Sequence, residues 1–285
     1  MNKLHVLGKA INTLALLSPK LAGTIAVRLF IRPRRIPVRP NAQQYLDKAE
    51  RLHAELEHPL VGYKWQAKGD VKQRVLLVHG WESHAGRWVP LVQRLRKKGI
   101  EVIAFDGPAA GQSGGKETPF NYYIECVEEI ERQHGPFDAV VGHSLGGGVA
   151  VQLCARLDGS RRPSKAVVMA AFDESNHVFD RYHGMLALSD RVRKAFDAHI
   201  IQLVNVGREE SLTIQDFSNP AAAKTLSDVD ALIVHSIDDP VSPYHEGVAI
   251  HEAWPEAQLA TFEDESHRLQ GKNVLSSIVS FLAGV

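Results

Sequence analysis

The stretch Asp138–Leu153, DAVVGHSLGGGVAVQL, decides how this chain is interpreted. It begins as an apolar run, breaks at a glycine and continues as a helix-like run of small residues. Ser144 stands at the break, with Gly142 two positions before it and Gly146 two positions after it. A nucleophile raised on a strand-to-helix turn needs strained backbone angles and small neighbours, so that the helix can pass close to the strand. The stretch therefore predicts a nucleophile elbow, and the alternative is an ordinary glycine-rich turn.

Around this stretch, short apolar runs alternate with amphipathic segments. Strands are predicted for residues 74–80, 100–106, 137–142, 165–172, 229–239 and 257–264. Helices are predicted for residues 88–99, 120–135, 145–157, 244–254 and 273–285, and helical spacing of apolar residues predicts one more over 42–58. Apolar strands that are each followed by a helix predict an α/β protein with a doubly wound, mostly parallel sheet. Ligands of such sheets bind at the carboxyl ends of the strands.

The alternation breaks once, and this break suggests a domain division. Residues 173–228 contain no predicted strand, and we expect them to form a small helical cap, or lid, inserted between strands of the core. The core would then comprise residues 61–172 and 229–285, and residues 1–60 a helical arm with a basic, proline-rich connector. Large apolar residues of the insertion either line an acyl pocket or form the cap's own core: Phe172, Phe179, Tyr182, Met185, Leu186, Leu188 and Phe196.

Residues 1–40 are apolar and then basic, with no acidic residue before Asp47. Lys9, Pro19 and Lys20 interrupt the apolar stretch and weaken a transmembrane interpretation. Three interpretations remain: a cleaved signal peptide, an arm docked on the protein body, and an arm on a membrane surface with its arginines near anionic headgroups. We expect a cytoplasmic protein, with peripheral membrane contact through residues 1–40 as an open alternative.

Composition excludes several classes of function. The 285 residues include 33 Lys+Arg and 33 Asp+Glu, so no overall positive field draws the protein to nucleic acid. Cys126 and Cys154 lie far apart and suggest neither a disulfide framework nor a zinc site. The sequence has no phosphate loop, dinucleotide fingerprint or metal-ligand cluster, so we expect no cofactor and no metal. It gives no prediction of oligomeric state.

A serine hydroxyl needs a base, and the base needs an orienting carboxylate. In sheets of this type the chain order is serine, acid, histidine. His267 follows the last predicted strand, and Asp238 and Asp239 end the strand before it. His143 lies next to Ser144 and is too close along the backbone to face its hydroxyl. His267 is therefore the predicted base, and either aspartate is a candidate acid.

The oxyanion formed by attack needs two hydrogen-bond donors. The N–H of Leu145, the residue after the nucleophile, is one candidate. The other should come from the loop after the strand 74–80, and the N–H of Trp81 is our candidate there.

Five motifs in this order make the chain resemble the serine hydrolases of the α/β-hydrolase fold. They are HGW (79–81), FDGPAAGQSGG (105–115), GHSLGG (142–147), DDPVSP (238–243) and SH (266–267). The resemblance covers about residues 75–285 and implies a carboxylic-ester hydrolase that works through an acyl-enzyme. In the family an Ile or Val two positions after the acid anchors its loop. Val241 stands in that relation to Asp239, which implies that Asp239 is the acid.

The resemblance also limits the chemistry. Dehalogenases and epoxide hydrolases of this fold carry a carboxylate at the elbow, whereas this chain has Ser144. The resemblance therefore argues against these two activities. The family's turn after the second predicted strand matches loosely at Asp106, Gly111 and Ser113, and it supports the structure rather than catalysis. Besides a small-molecule ester hydrolase, the open alternatives are a thioesterase or lysophospholipase with the same triad, a weakly hydrolytic ligand-binding protein, and a lyase or haloperoxidase-like enzyme.

Overall fold

The computed structural model describes residues 3–209 and 211–284, and these residues contain one eight-stranded sheet. The strands are β1 (Glu50–Ala54), β2 (Leu60–Trp65), β3 (Gln73–Val78), β4 (Ile100–Phe105), β5 (Ala139–His143), β6 (Lys165–Met169), β7 (Asp230–Ser236) and β8 (Gln258–Phe262). Their order in the sheet is β1-β2-β4-β3-β5-β6-β7-β8. Strands β3 to β8 run parallel, whereas β2 is antiparallel to both β1 and β4. The predicted mostly parallel α/β sheet is confirmed.

In the described residues, one or more helices follow each parallel strand, and three further helices precede β1. The helices are α1 (Lys3–Leu17), α2 (Pro19–Ile31), α3 (Pro40–Leu46), α4 (Val89–Leu95), α5 (Phe120–His134), α6 (Leu145–Arg156), α7 (Ser175–Leu186), α8 (Asp190–Val204), α9 (Asn219–Ala223), α10 (Tyr244–Ala253) and α11 (Lys272–Ala283). Every residue of β4 and of β5 is buried, because helices cover both faces of the sheet. This burial explains why these strands are apolar without alternation.

The helix predicted over residues 42–58 is wrong. Helix α3 ends at Leu46, and the following residues form β1, which pairs with β2 in the register Leu52↔Gly62 and Ala54↔Leu60. Pairing with a neighbouring strand outweighs the helical spacing of the apolar residues, since local propensity is a weak preference. Because β1 is a strand of the sheet, the predicted boundary at residue 60 is also wrong.

The chain divides into two compact units. The core unit comprises Pro33–Asp173 and Asn219–Val285, and the helical unit comprises Met1–Arg32 and Glu174–Ser218. The second segment of the helical unit, Glu174–Ser218, is shorter than the predicted insertion of residues 173–228. Asn219 belongs to the core unit because its side-chain amide donates to the Phe172 carbonyl oxygen at 2.9 Å and its oxygen accepts from Gln152 at 3.2 Å.

The helical unit packs α1 and α2 with α7 and α8 around a core of its own. Phe30 contacts the rings of Phe179, Tyr182 and Phe196 at centroid distances of 4.9 to 5.6 Å. Most of the large apolar residues of the insertion thus form this packed core, whereas Met185 is 54% exposed. Among the described residues, no helix combines the length and the hydropathy that crossing a bilayer requires.

Candidate active site

Ser144 lies between the last residue of β5 and the first residue of α6. Its backbone angles, φ 55° and ψ −121°, are ones that a non-glycine residue rarely adopts. The Ser144 N–H donates to the Met169 carbonyl oxygen at 2.8 Å, and the Ser144 carbonyl oxygen accepts from the Gly147 N–H at 2.8 Å. Such strain costs about 1–3 kcal/mol and persists only where the surroundings enforce it. The serine therefore sits on a tight, strained strand-to-helix turn.

The two glycines flanking Ser144 have no room for a side chain. A Cβ on Gly142 would lie 2.1 Å from the carbonyl oxygen of Gly146. A Cβ on Gly146 would lie 2.3 Å from the carbonyl oxygen of Val78 and 2.5 Å from that of His79. Since real Cβ atoms do not approach backbone so closely, the first turn of α6 can cross β5 and the end of β3 only with glycine at both positions.

The loop after β3 lies directly against the elbow. A Cβ on Gly80 would lie 2.8 Å from the His143 carbonyl oxygen and 2.9 Å from the Ser144 Cβ. Trp81 follows Gly80 and is 37% exposed. Leu145 is the first residue of α6, where backbone N–H groups have no partner within the helix. Leu145 thus adjoins Ser144 in the chain, and Trp81 directly follows the glycine that lies against the elbow.

His79 fixes the orientation of the Gly80–Trp81 peptide. Its Nε2 accepts from the Gly107 N–H at 2.7 Å, so its ring proton is on Nδ1, which donates to the Gly80 carbonyl oxygen at 2.8 Å. Burial lowers the pKa of His79 to about 4, so the ring is neutral near pH 7. In a trans peptide the N–H points opposite to the C=O, and the Trp81 N–H therefore points away from the His79 ring.

Asp239 and His267 meet on the loops that follow β7 and β8. Asp239 Oδ2 accepts from His267 Nδ1 at 2.7 Å, and Oδ1 accepts from the N–H groups of Val241 and Ser242 at 2.8 and 3.0 Å. Burial opposes ionisation of Asp239, but these hydrogen bonds outweigh it and hold its pKa below the ordinary value. Asp239 is 7% exposed, whereas Asp238 is exposed. Of the two aspartates, Asp239 is the one that contacts the histidine.

Val241 differs from the role that the family resemblance implies for it. Its side chain is 54% exposed, and its contact with Asp239 is made by the backbone N–H. The acid loop is held instead by Ser242, whose carbonyl oxygen accepts from His235 Nε2 at 2.9 Å and whose hydroxyl donates to Glu246 at 2.7 Å.

His143 joins the histidine loop to the elbow, a role that the sequence does not reveal. Its Nε2 donates to the carbonyl oxygen of His267 at 2.7 Å, and the two rings lie 5.0 Å apart. Burial, and after it the charge of Arg87, hold the pKa of His143 well below the ordinary value. The neutral ring of His143, the residue before Ser144, thus links the elbow to the main chain of His267.

The turn at Asp106 is structural, and the connector residues hold it. Asp106 accepts from the N–H groups of Ala85 and Gln112 at 2.7 and 2.9 Å. The Arg35 guanidinium donates to four carbonyl oxygens of this turn, those of Ala110, Gly111, Ser113 and Gly115. Arg34 binds Glu82, the residue after Trp81, through its backbone N–H and its guanidinium. Residues 34 and 35 therefore anchor both loops near the elbow.

Residues 75–273 match the model of the alpha/beta hydrolase family. The chain belongs to the alpha/beta hydrolase family. A monoacylglycerol lipase of Mycolicibacterium smegmatis is 34% identical over 103 residues, which are 33% of this chain and 37% of the relative. A lysophosphatidylserine lipase of Gallus gallus is 27% identical over 191 residues, 65% of this chain and 48% of the relative. The chain therefore spans less than half the length of these curated relatives.

Solved structures of other proteins show the same fold. An esterase from Exiguobacterium antarcticum superposes with a TM-score of 0.59 at 18% identity, covering 83% of this chain and 98% of that one. A bromoperoxidase from Bacillus anthracis superposes with a TM-score of 0.58 at 18% identity, covering 82% and 98%. At such identities the similarity shows the fold alone.

Proposed function

We propose that this alpha/beta hydrolase cleaves carboxylic esters, with Ser144 as nucleophile, His267 as base and Asp239 as the group that orients the base. The observation that carries the proposal is the 2.7 Å hydrogen bond between buried Asp239 and His267 Nδ1. This bond keeps the proton on Nδ1, so the lone pair of Nε2 can accept a proton. The tie from His143 to the His267 carbonyl oxygen brings the base's main chain to the elbow.

The reaction follows from these roles. Ser144 Oγ attacks the ester carbonyl carbon while its proton passes to His267 Nε2. The oxyanion accepts hydrogen bonds from the N–H groups of Trp81 and Leu145. Such donors each contribute about 3–4 kcal/mol to the transition state. The intermediate expels the alcohol, which takes the proton from His267, and water then cleaves the acyl-serine by the same steps in reverse.

Among esters, those with a single acyl chain are the substrate class that we propose. The support is that relatives from M. smegmatis and G. gallus are named as lipases of monoacylglycerol and of lysophosphatidylserine. Thioesters and lysophospholipids remain substrates that the same triad would cleave, because the acyl-serine step is common to all of them.

Hydrolysis assays with matched serine variants test the proposal. Wild type and Ser227→Ala, a control at an exposed serine, should hydrolyse p-nitrophenyl butyrate, p-nitrophenyl octanoate and monooleoylglycerol. Ser144→Ala should lose more than about 10⁴-fold in kcat, because the nucleophile acts as a unit with its base. Equal turnover by Ser144→Ala and wild type would refute the assignment. Loss of activity in both serine variants alike would do so as well.

A further inference from the structure

The corner between α1 and α2, Leu16–Leu21 with the sequence LLSPKL, exposes three leucines within six residues. Leu17 is 88% exposed, Leu16 72% and Leu21 50%. Along the outer faces of the two helices, Val6, Leu7 and Leu29 are each about two-fifths exposed as well. A soluble protein rarely exposes so many large apolar side chains in one continuous segment.

The corner is an ordered structure, so its leucines are not exposed by fraying. Ser18 caps α2 by accepting from the Leu21 N–H at 3.3 Å, and its own N–H donates to the Leu14 carbonyl oxygen at 2.9 Å. Ala15 and Ala22, on the two sides of the corner, are 1% and 0% exposed. The fold therefore fixes the inner face of the corner and leaves its leucines outside.

The inner faces of α1 and α2 combine small residues with larger apolar ones, and the small residues allow close contacts between helices. The buried residues are Gly8, Ile11, Ala15, Ala22, Gly23, Ala26, Val27 and Ile31. A Cβ on Gly8 would lie 1.7 Å from the Leu186 carbonyl oxygen, and one on Gly23 would lie 2.7 Å from the Ala195 Cβ. The outer face of a water-facing helix is polar, whereas the outer faces of α1 and α2 expose leucines. Small residues inside and leucines outside are typical of helices that pack on protein on one side and on lipid on the other.

The charge of the same segment complements an anionic surface. Residues 3–31 contain four basic residues and no acidic residue. Lys9, Lys20 and Arg28 are exposed on α1 and α2, and Lys20 lies within the leucine corner itself. Basic residues beside an apolar helical face are the combination that binds anionic headgroups.

We propose that the outer surface of α1 and α2, with the corner Leu16–Leu21 inserted deepest, docks on an anionic phospholipid membrane. The leucines enter the boundary between headgroups and acyl chains, and Lys9, Lys20 and Arg28 lie among the phosphates. This inference goes beyond the proposed ester hydrolysis and does not depend on it.

Vesicle flotation of the full chain tests the proposal. The protein should float with phosphatidylcholine vesicles containing about 30% phosphatidylglycerol and should bind pure phosphatidylcholine at least fivefold more weakly, since each basic residue near an anionic surface contributes roughly fivefold. Leu16→Ser/Leu17→Ser should weaken binding to the anionic vesicles more than about tenfold. The control Val71→Ser/Val206→Ser removes two other exposed apolar side chains, 52% and 72% exposed, and should bind like wild type.

Turnover of a water-soluble ester separates this proposal from the proposed activity. Leu16→Ser/Leu17→Ser should keep wild-type turnover of p-nitrophenyl butyrate, which also shows that the variant is folded. Vesicle binding by a protein without esterase activity would support the docking surface and refute the proposed ester hydrolysis. Equal floating of both double variants would overturn the docking surface. A wild type that does not float but forms dimers that Leu16→Ser/Leu17→Ser abolishes would also overturn it, because a second copy would then cover this face.

Discussion

Asp238 and Asp239 are adjacent in the sequence but have different environments. Asp239 is buried and accepts three hydrogen bonds, one of them from His267, whereas Asp238 is exposed. The residue pattern left both aspartates open, since both end the same predicted strand, and only the family resemblance favoured Asp239. Only the path of the loop after β7 separates them, and that path depends on backbone hydrogen bonds that no side-chain pattern encodes.

Asp239→Asn should therefore lower kcat/KM for a p-nitrophenyl ester by about 10³-fold or more. The amide oxygen would face the N–H groups of Val241 and Ser242, so the amide NH2 would face His267 Nδ1 and favour the wrong tautomer of the base. Asp238→Asn is the matched control and should keep kcat/KM within about twofold of wild type, as is usual for exposed positions. The reverse ranking of the two variants would contradict the assignment of the acid.

A second prediction at this scale concerns His79, whose pKa burial lowers to about 4. The unfolded chain has an ordinary histidine pKa of about 6.5. Between these pH values the unfolded state binds a proton that the native state does not. The free energy of unfolding should therefore fall as the pH decreases, by up to about 1.4 kcal/mol per pH unit from this residue.

Urea unfolding at several pH values between 4.5 and 7 (about the interval between the two pKa values) measures this slope. His79→Gln should show a shallower slope than wild type, while His53→Gln, at an exposed histidine, should keep the wild-type slope. Identical slopes in all three proteins would mean that His79 is not held neutral by the fold.

At the scale of elements, the elbow between β5 and α6 leaves very little room for a side chain. Gly146 and Gly184 both lie in helices, yet a Cβ on Gly146 would meet backbone oxygen at 2.3 Å and one on Gly184 would meet nothing within 4 Å. Gly146→Ala should lower the free energy of unfolding by about 1–3 kcal/mol or more through overpacking. Gly184→Ala should raise it by about 0.5–1 kcal/mol, because alanine costs less backbone entropy in a helix. Destabilisation of equal size in both variants, measured in urea, would contradict the steric account.

The second prediction at the scale of elements concerns Arg34 of the connector and its partner Glu82. Glu82 follows Trp81 and accepts from the backbone N–H and the guanidinium of Arg34. Glu82→Gln should lower kcat for a soluble ester by a few-fold with little change in KM, less than the roughly 10²-fold loss of a whole oxyanion donor. Glu129→Gln breaks a comparable surface ion pair with Arg132 and should leave kcat unchanged. Equal kcat values for the two variants would show that Arg34 and Glu82 do not position the loop.

Whether a strand can be predicted from the sequence depends on whether burial or pairing with a neighbour stabilises it. Strands β3 to β7 are largely buried, so their apolar runs are visible in the sequence. Strand β1 is an edge strand with mostly exposed side chains, and only its pairing with β2 makes it a strand. The tie between His143 and the His267 carbonyl oxygen was likewise invisible, because 124 residues separate its partners and one of them is backbone.

On the scale of the whole molecule, the candidate site and the proposed docking surface lie in different units. Ser144, Asp239, His267 and the loop with Trp81 all belong to the core unit, and α1 and α2 belong to the helical unit. The net charge of zero conceals the basic character of α1 and α2, since all Lys, Arg, Asp and Glu side chains of residues 3–31 are basic. Equal numbers of acidic and basic residues therefore exclude an excess of positive charge in the whole protein, but they do not exclude a basic surface on α1 and α2.

Mass-spectrometric mapping of a fluorophosphonate probe tests the central claim, that the fold activates Ser144, most directly. The probe should modify the peptide that contains Ser144 in wild type and in Ser227→Ala, at a rate that Asp239→Asn lowers by about 10²-fold or more, in line with its loss of the oriented base. Ser144→Ala should take up no probe while keeping the wild-type unfolding midpoint. An unmodified Ser144 in folded wild-type protein, or equal labelling of Ser144→Ala, would contradict the account.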